Sequence, residues 1–155
     1  MNMDLKNSKN QIISAFICTA FFAIIGVILY FVFKKNCEPG ETEFFALYPN
    51  EWAWKFMLIF IISVCFNLFF NLYITLMAVF AKGFHRQHSS WWLSFSFDVL
   101  VGIILIGFLN VRYPEDTWCS IVGSILILAQ HIITFIVSTY NCSNMWKRGY
   151  LPITK

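Results

Sequence analysis

Two ionisable side chains, Asp98 and His131, lie inside long apolar stretches of the sequence. An ionisable group at membrane depth is energetically costly, and it is a functional-site candidate by default. A carboxylate beside an imidazole can bind a cation or relay protons. The alternative is a buried cluster of hydrogen bonds with a structural role, in which Asp98 is protonated. Both interpretations stay open from the sequence, and we favour the structural one.

Sequence motifs for other chemistry are missing. The chain contains no P-loop, no G-x-S-x-G elbow, no H-E-x-x-H helix and no Cys-x-x-Cys pair. His85 and His88 form a single histidine pair in a short basic loop, which favours a solvated loop near anionic lipid over a metal site. We therefore predict a protein that is not an enzyme and has no catalytic residues, metal, cofactor or nucleic-acid partner. Intramembrane catalysis by Asp98 and His131 stays open.

The elements that position these side chains are four apolar stretches. The chain is 59% hydrophobic and only 12% charged, against about 25% charged residues in ordinary soluble domains. A helix needs about 20 apolar residues to cross a bilayer, and its backbone must satisfy its own hydrogen bonds there. The sequence therefore predicts an all-α integral membrane protein, a four-helix bundle that forms one domain over residues 1–155. The predicted spans are residues 12–33, 56–81, 91–111 and 118–140.

Basic residues predict the orientation of these spans. Four spans put both termini on one side, together with seven basic residues, against four on the other side. The positive-inside rule then places both termini in the cytosol, with the first span retained as a signal anchor. Asn141 begins the N-x-S/T sequon of the sequence and faces the cytosol in this orientation. Glycosylation at Asn141 would contradict it.

The polar cluster combines residues at similar depth. At about 1.5 Å of rise per residue, Asp98, His131 and Asn71 lie ~10–15 Å below the cytosolic boundary. We expect them to meet, with Gln130 nearby. Asn67 belongs to a four-residue repeat on the second helix, Ser63, Asn67, Asn71 and Thr75. Such polar stripes hold helices together in lipid, where hydrophobicity alone cannot.

Cysteine positions follow the same topology. Cys37 and Cys119 lie on the predicted lumenal side, where disulfides persist, and a bridge and two free thiols both stay open. Cys142 lies at the cytosolic border, where S-palmitoylation and a bare thiol are alternatives. Cys18 and Cys65 lie within spans and are expected to serve packing.

The C-terminal tail resembles a tyrosine-based sorting signal. Gly149 and Tyr150 are followed two residues later by a bulky apolar residue, Ile153. The resemblance implies delivery to lysosomal membranes through a clathrin-adaptor subunit that binds Tyr150 and Ile153. The alternative is a tail that places Tyr150 at the membrane interface.

The second half of the chain resembles the lysosomal-associated transmembrane protein family, which also has four spans. The matching residues are Gly83-Phe84-His85-Arg86, then Trp91-Trp92, Phe97-Asp98, and the Cys, Trp and basic residues after the last span. The chain lacks that family's Pro-rich PPxY tail and Cys-rich N-terminus, and its lumenal loops are shorter. The resemblance implies a late-endosomal or lysosomal protein that acts on the trafficking or stability of other membrane proteins.

Three functional hypotheses follow. The first is a protein that lies in the lipid bilayer and binds other membrane proteins through its helix faces, as a sorting adaptor or accessory subunit. The second is a small transporter or channel-forming subunit that uses Asp98 and His131 and oligomerises to enclose a pathway. The third is a structural subunit of a large membrane complex. An endosomal or lysosomal membrane is favoured, with the plasma membrane and other organelles as alternatives.

Overall fold

A computed structural model describes residues 2–37, 52–80, 84–111 and 117–149. These residues form four helices, α1 (Asn2–Asn36), α2 (Trp52–Phe80), α3 (Phe84–Leu109) and α4 (Thr117–Gly149). Each contains a segment that is long and apolar enough to cross a membrane. The all-α architecture with four such helices is therefore confirmed for the described part of the chain.

The helices differ from the predicted spans mainly at their ends. α4 has 33 residues, or roughly 50 Å at about 1.5 Å per residue, which exceeds the ~30 Å hydrocarbon thickness of a bilayer. α1 also begins well before its predicted span, at Asn2. α3 instead ends at Leu109, two residues before the predicted end. Asn110, the next residue, donates from its backbone and side-chain nitrogens to the Ile106 carbonyl.

The four helices run alternately up and down, as contacts between their ends show. The end of α1 is joined to the start of α4 by a Cys37–Cys119 disulfide. The Lys55 side chain, in the first turn of α2, donates to the Val111 carbonyl just after α3. We call this the disulfide end of the bundle and the opposite end the termini end. Among the described residues α1 and α3 each pack on α2 and α4 but not on each other.

Apolar side chains fill the disulfide end of the bundle. We define the apolar plug as the residues Phe33, Trp52, Phe56, Leu109 and Ile127, each of which is at most 1% exposed. The Phe33 ring lies 4.8 Å from the Trp52 ring and 4.9 Å from the Phe56 ring. Although Trp52 lies near a helix end, its side chain is a core residue and not a lipid-interface anchor.

Two glycines allow close approach of the helices around this core. A Cβ atom on Gly26 of α1 would overlap the Phe60 ring of α2. A Cβ atom on Gly123 of α4 would lie 3.2 Å from Leu109, Phe56 and Trp52. Small residues at these contacts are typical of helix packing in membranes, where van der Waals contact is a main attractive force.

Candidate functional site

Asp98 of α3 and His131 of α4 are in direct contact inside the bundle. Asp98 Oδ1 lies 2.8 Å from His131 Nδ1, and the two side chains are 0% and 1% exposed. Gly102 follows Asp98 by one helical turn, and a Cβ atom there would lie 3.1 Å from His131 Cδ2. The absence of a side chain at Gly102 therefore leaves room for the imidazole against α3.

α2 supplies the remaining partners of this pair. His131 Nε2 lies 2.7 Å from Ser63 Oγ, and the Ser63 hydroxyl donates to Gln130 Oε1 at 3.3 Å. Asn67 Nδ2 donates to Asp98 Oδ2 at 3.3 Å. Both imidazole nitrogens and both carboxylate oxygens consequently have a hydrogen-bond partner within the protein, which offsets part of the cost of burying them.

The hydrogen bonds continue toward the termini end. Asn71 Nδ2 donates to the Asn67 backbone carbonyl at 2.8 Å and to Asn67 Oδ1 at 3.3 Å. Ser138 Oγ donates to Asn71 Oδ1, and Thr75 Oγ1 donates to the Asn71 carbonyl at 2.8 Å. We call this set the polar column. It comprises Ser63, Asn67, Asn71 and Thr75 of α2, Asp98 of α3, and Gln130, His131 and Ser138 of α4.

The predicted cluster is present as a set of buried side chains, but its internal contacts differ from the expected ones. Asn71 bonds to Asn67 and Ser138 rather than to Asp98 or His131. Gln130 is linked to His131 through Ser63. The sequence pattern places Ser63 only in a packing stripe and does not identify it as the partner of His131. Its four-residue spacing from Asn67 was the signal that could have indicated this role.

Ser63, His131 and Asp98 make the same sequence of contacts as a Ser-His-Asp catalytic triad. Catalysis also needs space for a reacting atom beside the nucleophile and the oxyanion donors. Ser63 is 0% exposed, and it lines neither of two clefts formed by described side chains, one between α1 and α2 and one between α2 and α3. The arrangement thus satisfies hydrogen bonds without presenting the serine to a substrate.

Both clefts lie on the outer surface of the bundle, between neighbouring helices. One, of about 150 Å³, separates α1 from α2 and is lined by Ile12, Ala15, Phe16, Leu68, Asn71, Leu72 and Thr75. It reaches the polar column at Asn71 and Thr75. The other, of about 190 Å³, lies between α2 and α3 and is lined by Phe69, Phe70, Tyr73, Leu93, Ser94 and Phe97. It is almost entirely apolar.

The polar column does not continue to the disulfide end. Beyond Ser63 and Gln130, the next buried side chains are Ile59, Phe60 and Ile127, followed by the rest of the apolar plug. The next described polar pair on α3 and α4 is Asn110 and Ser124, with Asn110 Nδ2 donating to Ser124 Oγ at 2.9 Å. Within the described residues, apolar side chains therefore separate the two polar regions.

The other predicted site residues lie apart from the polar column. Cys37 and Cys119 are bridged, with a Cα–Cα distance of 6.7 Å. Cys18 is half-buried and Cys65 is exposed, and neither is bridged. Cys142 lies in α4 and Gly149 ends it, but the side chain of Cys142 is outside the description. Tyr150 and Ile153 of the sorting motif fall outside the described residues.

Comparison of the chain with protein-family models, curated proteins and solved structures finds no match. Any statement about function therefore depends on the residues of this chain.

Proposed function

We propose that this chain is a non-enzymatic four-span membrane protein that binds other membrane proteins, as a sorting adaptor or accessory subunit. The proposal rests on one observation, which is that apolar side chains close the interior of the bundle at the disulfide end. The polar column stops at the apolar plug, so the described side chains provide no continuous polar route for a transported solute. The hydrogen bonds of Asp98 and His131 join α2, α3 and α4, which supports a structural role for the pair.

The surface left for recognition is the outer face of the helices. α1 contributes the broadest outer face, since only 17% of its most apolar stretch is buried within the bundle. Phe16, Phe21 and Phe31 are each about 60% exposed there, at 62%, 59% and 63%. Lipid tails alone can cover such a face, but aromatic side chains also favour contacts between proteins. This face of α1 is our candidate surface for a partner helix.

We infer that both termini lie in the cytosol. The basic residues of the loops and tails support this orientation. The Cys37–Cys119 bridge supports it as well, because it lies at the end of the bundle opposite both termini. Disulfides persist in the lumen or outside the cell but not in the cytosol. In this orientation the C-terminal sorting motif is accessible to a clathrin adaptor, which favours an endosomal or lysosomal membrane.

Site-specific photo-crosslinking in native membranes tests partner binding. We expect a photoreactive amino acid at Phe21, which is 59% exposed, to crosslink a reproducible set of membrane proteins. The same amino acid at the adjacent Phe22, which is 4% exposed, is the matched control and should crosslink only within the chain. Mass spectrometry of the adducts identifies the partners.

Two outcomes would contradict the accessory role. One is a set of adducts on the exposed faces that contains only lipid. The other is ion flux in proteoliposomes of the purified protein that Asp98→Asn abolishes and Ser96→Ala leaves intact. Ser96 is a suitable control because it lies on α3 as Asp98 does, but with an exposed side chain.

The location is tested by substitutions in the tail. We expect Tyr150→Ala and Ile153→Ala to move the protein from lysosomes to the cell surface, because an adaptor needs both side chains. Thr154→Ala, next to the motif, should leave the distribution unchanged. Quantitative imaging with a surface-biotinylation assay measures the shift. An unchanged distribution in both motif variants would remove the sorting signal from the proposal.

A further inference from the structure

We propose that the Asp98–His131 pair is an internal proton-binding site that holds one exchangeable proton. Release of this proton reverses the Ser63 hydroxyl and turns the side-chain amide of Gln130. The inference is independent of the accessory role proposed above, because it depends only on the direction of hydrogen bonds inside the bundle.

A backbone carbonyl group determines which atoms donate and which accept in the hydrogen bonds of the polar column. The 2.8 Å partner of the Asn71 side chain is the Asn67 backbone oxygen, which can only accept a hydrogen bond. The nitrogen of the Asn71 amide must therefore face Asn67, and its oxygen must face the Ser138 hydroxyl, as observed. The amide orientation of Asn71 is thus determined by chemistry, and an exchange of its oxygen and nitrogen is ruled out.

The same reasoning passes from Asn71 to Asp98. Asn71 Nδ2 also donates to the side-chain oxygen of Asn67, so the nitrogen of the Asn67 amide is the end that faces Asp98. That nitrogen donates to Asp98 Oδ2, and because an amide nitrogen cannot accept a hydrogen bond, a proton on Oδ2 would find no acceptor in Asn67. Any proton shared by the pair is consequently located between Asp98 Oδ1 and His131 Nδ1, 2.8 Å apart.

The other face of the imidazole permits two arrangements that differ by one proton. With the proton bound, His131 Nε2 donates to Ser63 Oγ, and the Ser63 hydroxyl donates to Gln130 Oε1. With the proton released, the Ser63 hydroxyl donates to His131 Nε2, and a half-turn of the Gln130 amide brings its nitrogen toward Ser63. Gln130 Nε2 has no hydrogen-bond partner, so the half-turn breaks no bond at that atom.

The net charge of the pair depends on whether the proton is bound. A carboxylate with an imidazolium is neutral overall, whereas the carboxylate with a neutral imidazole leaves one uncompensated charge in a low-dielectric interior. Among the neighbouring segments, α1 has no charged residue between Lys9 and Lys34, residues 56–80 of α2 have none, and α4 has none between Thr117 and Tyr140. The remaining titratable groups there are the thiols and phenols Cys18, Tyr30, Cys65, Tyr73 and Tyr140.

Access for the proton is shortest from the termini end. The cleft between α1 and α2 reaches Asn71 and Thr75, whereas the apolar plug lies between His131 and the disulfide end. In the orientation proposed above, the site would exchange its proton with the cytosol.

Nitrogen-15 NMR of the histidine ring tests the assignment. The variant His85→Gln/His88→Gln leaves His131 as the sole histidine of the chain, so its two ring signals can be followed in micelles from about pH 5 to about pH 8, where imidazoles titrate. We expect Nδ1 to stay protonated throughout, and Nε2 to change from protonated to unprotonated as pH rises. The Gln130 side-chain amide signals should shift with the same midpoint.

Asp98→Asn in the same background should abolish this transition and leave His131 neutral, because the compensating negative charge is gone. Ser96→Ala, on the exposed face of α3, should preserve the transition. A neutral His131 with the proton on Nε2, or ring signals that do not change while the bundle stays folded, would overturn the proposal. If the Gln130 amide signals do not shift with the same pH midpoint as the His131 ring signals, the coupled rearrangement is overturned.

Discussion

The variant His131→Ala is expected to lower the free energy of unfolding by about 3–5 kcal/mol, the range observed when one partner of a buried ion pair is removed. The substitution leaves Asp98, which is 0% exposed, with Asn67 as its remaining described partner. It also removes one of the two hydrogen-bond partners of Ser63 and opens a cavity beside Gly102. Reversible unfolding in mixed detergent micelles measures the loss.

A control variant and a double variant show whether the loss of stability comes from the Asp98–His131 contact. Ser96→Ala removes an exposed hydroxyl on α3 and should change stability by no more than about 0.5 kcal/mol. The double variant Asp98→Ala/His131→Ala should be less destabilised than the sum of its single variants, because each single variant already breaks the same contact. Strict additivity would mean that the two side chains do not interact in the folded protein.

Loss of the disulfide is expected to have the second large effect on the free energy of unfolding. We expect Cys37→Ala to lower the free energy of unfolding by about 2–4 kcal/mol, because the bridge closes a long loop and limits the freedom of the unfolded chain. The two cysteines are separated by 82 residues, and the bridge ties α1 to α4 beside the apolar plug. The same unfolding measurement, made with and without reductant, gives the contribution.

Additional variants separate the bridge from the loss of a thiol. Cys119→Ala should match Cys37→Ala, and the double variant should cost little more than either. Cys65→Ala, at an exposed and unbridged cysteine, should stay close to the parent protein and keep its response to reductant. Insensitivity of the parent protein to reductant, in both stability and gel mobility, would show that the bridge does not form.

Much of the fold could be predicted because it depends on composition along the chain. A stretch such as residues 118–140 is apolar apart from scattered uncharged polar side chains and His131. In a bilayer such a stretch must form a helix to satisfy its backbone hydrogen bonds. The ends were less predictable. Residues 141–149 are polar enough to end a membrane span, yet they continue α4, because helix formation does not stop where lipid ends.

The depth of the site residues along their helices could be predicted, but the contacts between their side chains could not. Asp98 and His131 were expected at one level because each residue adds a fixed rise along its helix. The contacts of Asn71 could not be obtained in this way, since they depend on how far α2 is shifted along its axis and rotated relative to α3 and α4. Its side chain lies one turn too far toward the termini end to reach His131, and Asn67 takes the place beside Asp98.

From the sequence alone it follows that four stretches are long and apolar enough to cross a membrane, that Asp98 and His131 lie at similar depth within them, and that Cys37 and Cys119 lie at one end. Each of these follows from position along the chain and from the cost of exposing polar groups to lipid. The three-dimensional packing adds that Ser63 faces His131, that Gly102 makes room for the imidazole, and that apolar rings close the disulfide end. These depend on the rotation and packing of whole helices, and many side chains set that packing together.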